Sequence, residues 1–396
     1  MSPHSVMRPL WSLCSMNDEA LRESTPADKL FDYVDIGDVT TGRISEDVES
    51  YSFGEAPSRA RRLANPGDVI VSTVRTYLRA IAQVTEMEAD RVFSTGFAVL
   101  RPIDGVTEPR FLAYALSSEQ VMDEIVATSV GVGYPAIAGT ALHRIKVPSH
   151  NLQTQRAIAD YLDHETAGID VMIGKLDQLA DALKVRRRVV IQSALGSLFD
   201  GELVPLWKIL FPVKDQNHPG EEILSVYRDH GVIPKSSRDD NFNRTPSDLS
   251  AYQLVRPTDV VINKMKAWQG SLGVSPHRGI VSPDYQVARI TAEVEPNFLH
   301  LVLRSPLMIP QYRARSIGVR PAQWRLYWDD FADLRIPLPP AEVQRRITEE
   351  LHEVTSNIDT MQIKLAELKA LLTERRQALI TEVVTGRKDV ACAQPS

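Results

Sequence analysis

An internal repeat constrains the fold more than any other feature of this sequence. Pro9-Leu10-Trp11 returns as Pro205-Leu206-Trp207, and similar matches recur at a spacing near 190 residues in a chain of 396. The spacing drifts early in each copy, but from Ile145 onward it stays constant at 189, so that Gln155-Arg156 matches Gln344-Arg345. Self-similarity of this kind predicts two similar halves, each with a variable first part and a constant second part.

The repeat divides the chain into five predicted segments. They are a first variable domain (1–148), a first constant segment (149–203), a second variable domain (204–337), a second constant segment (338–390) and a short tail (391–396).

Both constant segments are predicted to be long helices. Apolar residues in each recur alternately 4 and 3 residues apart, which is the period of a coiled coil. About 36 residues at 1.5 Å each give a rod of roughly 54 Å. The predicted seam comprises Ile158, Leu162, Ile169, Met172, Leu176, Leu179 and Leu183 in the first helix, and Ile347, Leu351, Ile358, Met361, Leu365, Leu368 and Leu372 in the second.

Charge is distributed unevenly along both predicted helices. Residues 156–170 carry a net charge of −3 and residues 171–190 carry +3, and the second helix has −2 over 345–359 and +2 over 360–379. Antiparallel pairing sets opposite charges together, although the same bias also complements the dipole of each helix alone. We therefore expect two antiparallel coiled-coil helices within one chain, with a variable domain at each end and pseudo-twofold repetition.

Composition limits the classes of function. With 45 Lys and Arg against 51 Asp and Glu, the net charge is −6, so binding to nucleic acid would depend on local patches. Two cysteines, Cys14 and Cys392, are too few for a disulfide framework or a cysteine zinc site. No stretch has the pattern of a signal peptide or membrane helix. We expect a cytoplasmic protein that does not bind membranes.

The variable domains are predicted to have a mixed α/β (α+β) fold. Short runs rich in β-branched residues are bounded by Pro, Gly or Asp, and helical stretches follow them. The predicted strands are Val69 to Thr73, Ala98 to Arg101, Val260 to Asn263 and Gln286 to Ile290, and the predicted helices lie near Phe111 to Val126 and Phe298 to Leu303.

A basic, aromatic segment in the second domain is a candidate DNA-binding patch. The stretch 304–328 contains five arginines, four aromatic residues and no acid. The alternative is a solvated surface over core aromatics. The aligned stretch 117–141 has no arginine and three acids, so we expect the two domains to bind DNA differently. The candidate side chains are Arg313, Arg315, Arg320, Trp324 and Arg325.

A second group of candidate residues follows one predicted strand in each copy. This strand begins at Asp68 in the first copy and at Asp259 in the second. Both copies place a cation two residues before a large aromatic, and such loops can contact phosphates or base edges. The alternative is an aromatic packed beneath the sheet. The two aspartates are expected to be turn residues. The candidates here are Arg75, Tyr77, Arg79, Lys264, Lys266, Trp268 and Gln269. A further candidate is the small basic cluster of Arg59, Arg61 and Arg62. This cluster either contacts phosphates or is simply solvated.

Motifs for catalysis were sought and not found. The sequence has no Asn/Asp-Pro-Pro-aromatic motif of amino methyltransferases, no phosphate-binding G-x-x-x-x-G-K-[ST] and no metal-binding H-E-x-x-H. We predict no catalytic residue, no cofactor and no metal site.

The constant segments resemble those of the specificity subunits of type I restriction-modification enzymes. The similarity lies in residues 334–347 (LRIPLPPAEVQRRI), 357–359 (NID) and 374–386 (ERRQALITEVVTG), with weaker echoes at 145–148, 155–156, 169–170 and 186–188. The first copy has Ser149-His150-Asn151 in place of the proline pair. The resemblance implies two target-recognition domains that each recognise half of a bipartite site on double-stranded DNA. It also implies two helices that set the spacing and bind methyltransferase (modification) subunits, expected to be two, with restriction subunits joining through the complex.

Two other interpretations remain open from the sequence. One is an enzyme with a divergent active site, for which the purified chain would show metal-dependent or cofactor-dependent activity. The other is a structural coiled-coil scaffold, for which DNA binding would be absent or independent of sequence.

Overall fold

The chain folds into two compact units in the computed structural model, which describes residues 5–131, 133–228, 230–237, 245–320 and 323–390. Unit 1 comprises Met1–Leu176 and Ala366–Ser396, and unit 2 comprises Asp177–Leu365. Each unit therefore contains one variable domain and a part of both constant segments. Cys392 and the predicted tail 391–396 lie outside the described residues.

Unit 1 is built of short strands and three helices that precede the first long helix. Its strands are β1 (Val6–Pro9), β2 (Cys14–Met16), β3 (Leu30–Val34), β4 (Val39–Thr40), β5 (Arg43–Ile44), β6 (Glu49–Ser52), β7 (Ala60–Leu63), β8 (Val69–Ser72), β9 (Ile81–Gln83), β10 (Val92–Ser94), β11 (Phe97–Pro102) and β12 (Lys146–Ser149). Its helices are α1 (Pro109–Ser117), α2 (Glu119–Thr128), α3 (Gly139–Leu142) and the first part of α4 (Leu152–Gly196). The sheets have the orders β2-β11-β8-β9 and β6-β3-β10-β7, with the pairs β1-β12 and β4-β5.

Strand β8 lies between two cores of unit 1 because its side chains alternate between the faces of the sheet. All of its four residues are buried. Val69 and Val71 belong to one apolar cluster with Leu100, whereas Ile70 belongs to another with Val99. This continuous apolar run is the pattern that predicted the strand.

Unit 2 contains a central sheet of the same order. Its strands are β13 (Leu203–Pro205), β14 (Leu210–Val213), β15 (Leu224–Tyr227), β16 (Gly231–Pro234), β17 (Gln253–Val255), β18 (Val260–Asn263), β19 (Leu272–Val274), β20 (Gly279–Val281), β21 (Tyr285–Ile290) and β22 (Arg335–Pro337). Its helices are α5 (Pro296–Leu303), α6 (Ile309–Arg315), α7 (Trp328–Ala332) and, as the second long helix, α8 (Ala341–Val384). The order β14-β21-β18-β19 matches β2-β11-β8-β9, and the pair β13-β22 matches β1-β12.

The predicted helix from Phe111 to Val126 is wrong in one respect, because α1 and α2 are separate helices. Ser118 between them has extended backbone, with φ −63° and ψ 145°. Its buried hydroxyl donates to the carbonyl of Ala115 at 2.7 Å. A serine that bonds locally in this way competes with the helical hydrogen-bond ladder and ends α1.

The long helices are longer than the period alone indicated. Helix α4 has 45 residues and α8 has 44. Where the first copy lacks the proline pair, the side chain of Asn151 accepts a hydrogen bond from the amide of Thr154 at 2.9 Å. Asparagine is a favoured N-cap residue because it satisfies an amide that has no partner within the helix.

Within each unit, the segments of α4 and α8 contact each other with antiparallel order. In unit 1, Asp170 on α4 accepts from Arg376 on α8 at 2.9 Å. In unit 2, Arg187 on α4 donates to Asp359 on α8. Apolar side chains from the two helices share a cluster in each unit: Ile158, Leu162, Ile169, Ile380, Val383 and Val384 in unit 1, and Leu195, Ile347 and Leu351 in unit 2.

The predicted seam is wrong at Met172, Leu179, Met361 and Leu368, whose side chains are about half exposed. Leu176, Leu365 and Leu372 are half-buried, while Ile158, Leu162, Ile169, Leu183, Ile347, Leu351 and Ile358 are buried. Most of the buried positions lie in clusters that also contain Phe111 of α1 or Phe298 of α5. A third helix therefore contributes to burial there, and the heptad pattern alone does not predict this.

A buried glutamine joins each long helix to the variable domain before it. The side-chain oxygen of Gln155 accepts from the amide of Glu108 at 2.8 Å, and its nitrogen donates to the carbonyls of Val106 and His150. Gln344 accepts from the amide of Glu295 at 2.9 Å and donates to the carbonyl of Pro339. The repeated Gln-Arg motif thus places a structural clamp at the start of each helix.

Candidate nucleic-acid interface

The candidate side chains of unit 1 lie on a strained turn after β8. A single 3-10 turn, Thr76–Leu78, is flanked by Arg75 and Arg79 with φ of 50° and 53°. A non-glycine residue in this left-handed region costs about 1 to 3 kcal/mol. Two such residues bracket Tyr77, whose ring is exposed. The turn after β18 in unit 2, Ala267–Gln269, follows Lys266 with φ −127° and ends at Gly270 with φ 92°, so only its last position is left-handed and a glycine occupies it without strain.

Each unit also has a hairpin loop, 130–136 in unit 1 and 317–325 in unit 2. Val130 exchanges both backbone hydrogen bonds with Ala136, at 2.9 and 3.0 Å, and Ile317 exchanges both with Arg325, at 3.1 and 2.9 Å. Both loops have a glycine at the second position, where a Cβ would approach a carbonyl oxygen of the opposite arm to 3.0 Å (Gly131) or 2.7 Å (Gly318).

The turn and the hairpin of each unit form one continuous surface. The amide of Ile137 donates to the carbonyl of Thr73 at 2.8 Å, and the amide of Leu326 donates to the carbonyl of Lys264 at 2.9 Å. We name these surfaces loop face 1 (residues 73–79, 130–131 and 133–137) and loop face 2 (residues 264–270, 317–320 and 323–326).

Loop face 1 combines two arginines with exposed aromatic and aliphatic groups. The guanidinium of Arg75 lies over the ring of Tyr134, 4.6 Å from its centroid. Arg79 is 3.9 Å from Asp123. The exposed apolar or aromatic side chains on this face are Tyr77, Leu78, Val130 and Tyr134.

Loop face 2 is more basic and carries two tryptophans. The rings of Trp268 and Trp324 meet edge to face with centroids 5.4 Å apart, and Arg313 lies over Trp324 at 5.8 Å. Arg325 is 3.8 Å from Asp284, and Lys266 is exposed. Lys264 donates to the carbonyl of Pro283, Gln269 is half-buried, and Ile317 and Val319 are exposed.

Not every arginine of the stretch 304–328 contributes to loop face 2. Arg304 donates to the carbonyls of Leu272 and Arg228, at 2.9 and 2.6 Å, so it supports the sheet. Arg315 donates to the carbonyl of Asp330, and Arg320 is exposed within the hairpin loop.

The cluster of Arg59, Arg61 and Arg62 does not form a single basic surface. Arg59 pairs with Asp35 at 3.5 Å, and Arg61 lies over the ring of Phe53 at 4.7 Å. Burial lowers the pKa of Arg62, and its Nε is buried without a hydrogen-bond partner. Alternation along β7 sends Arg61 and Arg62 to opposite faces of the sheet, and Arg59 lies just before the strand.

The expectation that Asp68 and Asp259 are turn residues is confirmed, and both also form ion pairs. Asp68 accepts from the amide of Asn65 at 2.8 Å, and Asp259 accepts from the amide of Arg256 at 2.8 Å. The buried Asp68 additionally receives two hydrogen bonds from Arg101, at 3.1 and 2.9 Å. Asp259 has one contact with Arg289, at 3.6 Å.

A half-buried histidine supports β19, the strand that follows the turn of loop face 2. The Nδ1 atom of His300 lies 3.2 Å from both the amide nitrogen and the carbonyl oxygen of Val274. Burial and, to a smaller extent, the nearby cation Arg304 lower the pKa of His300 to about 4. The imidazole is therefore neutral at physiological pH.

The sequence contains a signal for both hairpins that charge analysis missed. Ser129-Val130-Gly131 and Ser316-Ile317-Gly318 are nearly the same tripeptide at a spacing of 187. The first hairpin contains no arginine, so its charge does not mark it as a candidate site. Comparing the glycine positions of the two copies would have identified both loops.

Comparison with known proteins places this geometry in a family. The family model described as the type I restriction modification DNA specificity domain matches residues 36–180. The chain is 22% identical over 325 residues to the type I restriction enzyme EcoKI specificity subunit of Escherichia coli K12, covering 74% of this chain and 68% of that protein. It is 24% identical over 312 residues to the EcoBI specificity subunit of Escherichia coli, covering 70% and 65%. The chain is thus similar to the specificity subunits of type I restriction-modification enzymes.

A solved structure contains a chain with the same fold. It concerns the complex assembly and conformational transition of the type I restriction-modification system, and its chain matches 96% of this one with a TM-score of 0.71 at 23% identity, over 98% of its own length. The mixed α/β fold with a long helix is therefore confirmed. The two curated relatives are specificity subunits, which agrees with the prediction of a non-catalytic subunit. In the part of the chain that the structure describes, no helix has the length and apolarity needed to cross a bilayer.

Proposed function

We propose that loop face 1 and loop face 2 each bind one half of a bipartite target on double-stranded DNA. The observation that carries this proposal is the occurrence of the same turn and hairpin in both units with different exposed side chains. A shared backbone positions each face in the same way, while different side chains select different bases.

The chemistry of each face suits contact with a duplex. Arginine binds the edge of guanine or a phosphate, and exposed aliphatic groups contact the methyl of thymine. At loop face 2, Arg313 of α6 lies over Trp324 and Arg325 follows Trp324 in the hairpin, so we expect guanine contacts and a strong salt dependence. On loop face 1, the stacking of Arg75 on Tyr134 holds the guanidinium in one orientation.

The long helices are proposed to pair as an antiparallel coiled coil that sets the gap between the two halves of the target. The contacts Asp170–Arg376 and Arg187–Asp359 support this pairing, because each joins the acidic part of one helix to the basic part of the other. The predicted bounds of the five segments, with recognition domains at 1–148 and 204–337, belong to the same proposal.

We further propose that two methyltransferase subunits bind this chain, with restriction subunits joining through the complex in the cytoplasm, where the DNA lies. Exposed apolar side chains on the long helices support docking, because exposed apolar patches on soluble proteins commonly mark interfaces. These side chains are Val171, Met172, Leu179, Val185, Val189, Met361, Ile363, Leu368 and Leu371.

The decisive experiment determines the methylated motif in DNA from cells that contain the partner subunits and a variant of one loop face. Arg75→Ala or Tyr134→Ala should relax one half of the motif, and Trp324→Ala or Arg325→Ala should relax the other. Each lost base contact should weaken binding by about 1 to 3 kcal/mol.

The matched control is Arg22→Ala, which removes an exposed cation of unit 1 outside loop face 1. It should leave both halves of the motif intact. A variant of one face that altered both halves, or neither, would contradict the proposal. Binding that did not depend on DNA sequence would favour a scaffold instead.

A further inference from the structure

The same exposed tryptophan occurs in both units at the start of the variable domain. The rings of Trp11 and Trp207 are 58% and 56% exposed, whereas the preceding Leu10 and Leu206 are fully buried. The amides of these leucines donate to the carbonyls of Ile145 and Leu334, both at 2.9 Å. Identical anchoring therefore turns both indole rings outward, although burying a tryptophan is strongly favourable.

A cation accompanies each tryptophan. The proline before the buried leucine pairs across the strands with Lys146 in unit 1 and with Arg335 in unit 2. Both cations are exposed. In unit 2, the Nζ of Lys208 also lies 5.7 Å from the ring centroid of Trp207. Unit 2 thus presents its aromatic ring near positive charge, and unit 1 has an exposed lysine at the equivalent position of its strand pair.

The identity of the two tryptophans indicates what they meet. The loop faces differ between the units, as they must if they bind different bases. A residue that is identical in both copies is expected to contact the same kind of partner in each unit. That partner is either the phosphate backbone of DNA or two copies of one protein. An indole ring offers a phosphate only one N–H, whereas tryptophan and arginine are the side chains that most often anchor protein interfaces.

We infer that Trp11 with Lys146, and Trp207 with Arg335, are two equivalent anchor points for two copies of one protein partner, the methyltransferase subunit. The partner surface would present an apolar pocket for the indole with acidic residues at its rim. This inference rests on the proposed function and adds to it, because it places docking on the variable domains in addition to the long helices.

The test counts bound subunits. Full-length chains carrying Trp11→Ala, Trp207→Ala or both are titrated with the methyltransferase subunit encoded with this chain and weighed by native mass spectrometry. Each single variant should keep one subunit bound and weaken the other at least about tenfold, and the double variant should weaken both. Met87→Ala, which removes another exposed side chain of unit 1, should bind two subunits as the unaltered chain does.

A second measurement does not depend on how the variants fold. Hydroxyl-radical footprinting of the unaltered complex should show Trp11 and Trp207 protected, with Met87 still reactive. Charge reversal by Lys146→Glu or Arg335→Glu should weaken the same single binding step as the tryptophan variant of that unit.

Three results would overturn the inference. The double variant could retain both subunits at unchanged affinity, or both rings could stay reactive in the complex. The variants could also lose binding to DNA while assembly is unaffected, which would assign the rings to the duplex. If the unaltered chain bound no methyltransferase subunit, the docking proposal itself would fail, and the motif experiment on the loop faces would still stand as a separate test.

Discussion

The ion pair between Asp68 and Arg101 lies at the start of the strand that leads to loop face 1, and it should contribute strongly to the stability of unit 1. Asp68→Asn keeps an acceptor for the amide of Asn65 and removes the charge that Arg101 contacts through two hydrogen bonds. Breaking a buried ion pair on one side typically costs about 3 to 5 kcal/mol. Arg101 retains Glu19 at 2.6 Å and is 30% exposed, so we expect the lower end, about 3 kcal/mol.

Asp259→Asn provides the matched comparison in unit 2. Its partner Arg289 makes one contact at 3.6 Å and is 45% exposed. An exposed partner with a single long contact contributes little, so the expected loss is about 1 kcal/mol. The difference between the two variants follows from geometry alone, because both aspartates hold equivalent turns.

Hydrogen exchange along a urea series can measure both variants in the intact chain. Peptides that contain β8 report on Asp68→Asn, and peptides that contain β18 report on Asp259→Asn. A double-mutant cycle with Arg101→Gln should give a coupling energy above about 1 kcal/mol. Equal losses in the two units, or a loss below about 1 kcal/mol for Asp68→Asn, would refute this assignment of the buried pair.

Three further outcomes are expected. Gly131→Ala should weaken DNA binding about tenfold in a titration, because φ is +125° and the new Cβ would lie 3.0 Å from the carbonyl oxygen of Tyr134; unchanged affinity would show that the hairpin is not part of the interface. His300 has its pKa lowered from 6.5 to about 4, so the unfolded chain takes up the proton first as pH falls. The free energy of unfolding of unit 2, measured with urea, should thus be constant above about pH 6.5 and fall by up to about 3 kcal/mol towards pH 4. The variant His300→Gln should reduce this dependence on pH. Leu162→Ala should cost about 3 kcal/mol in thermal unfolding and Leu179→Ala less than about 1, because only the first is buried; equal losses would mean that the seam is closed at both positions.

The long helices and central strands were predictable because the spacing of apolar residues along the chain differs between a helix and a buried strand. The run Val260–Asn263 was predicted with the bounds that the structure has. The period did not predict which heptad positions are buried. Burial of Ile158 depends on Phe111 of α1 in the same cluster, and such packing between distant segments is not visible in a local period.

The candidate site was only partly predictable, because residue type indicates chemistry but not direction. Arg304 and Arg313 belong to the same basic stretch, yet one supports carbonyls of the sheet and the other lies over Trp324. Tyr134 was not predicted at all. Its loop is defined by backbone pairing across Gly131, a feature that charge and composition do not contain.

The glutamine clamps have a consequence for how such chains change over time. Gln155 and Gln344 hold their variable domains through main-chain amides and carbonyls. Every residue supplies these groups, apart from the missing amide of proline. These hydrogen bonds are therefore indifferent to the side chains of the domain, and a domain of unrelated sequence can be inserted by recombination if its backbone arrives in the same place and an apolar side chain packs where Phe111 or Phe298 does. New DNA specificities can then arise by exchange of whole domains, without any compensating change in the helices.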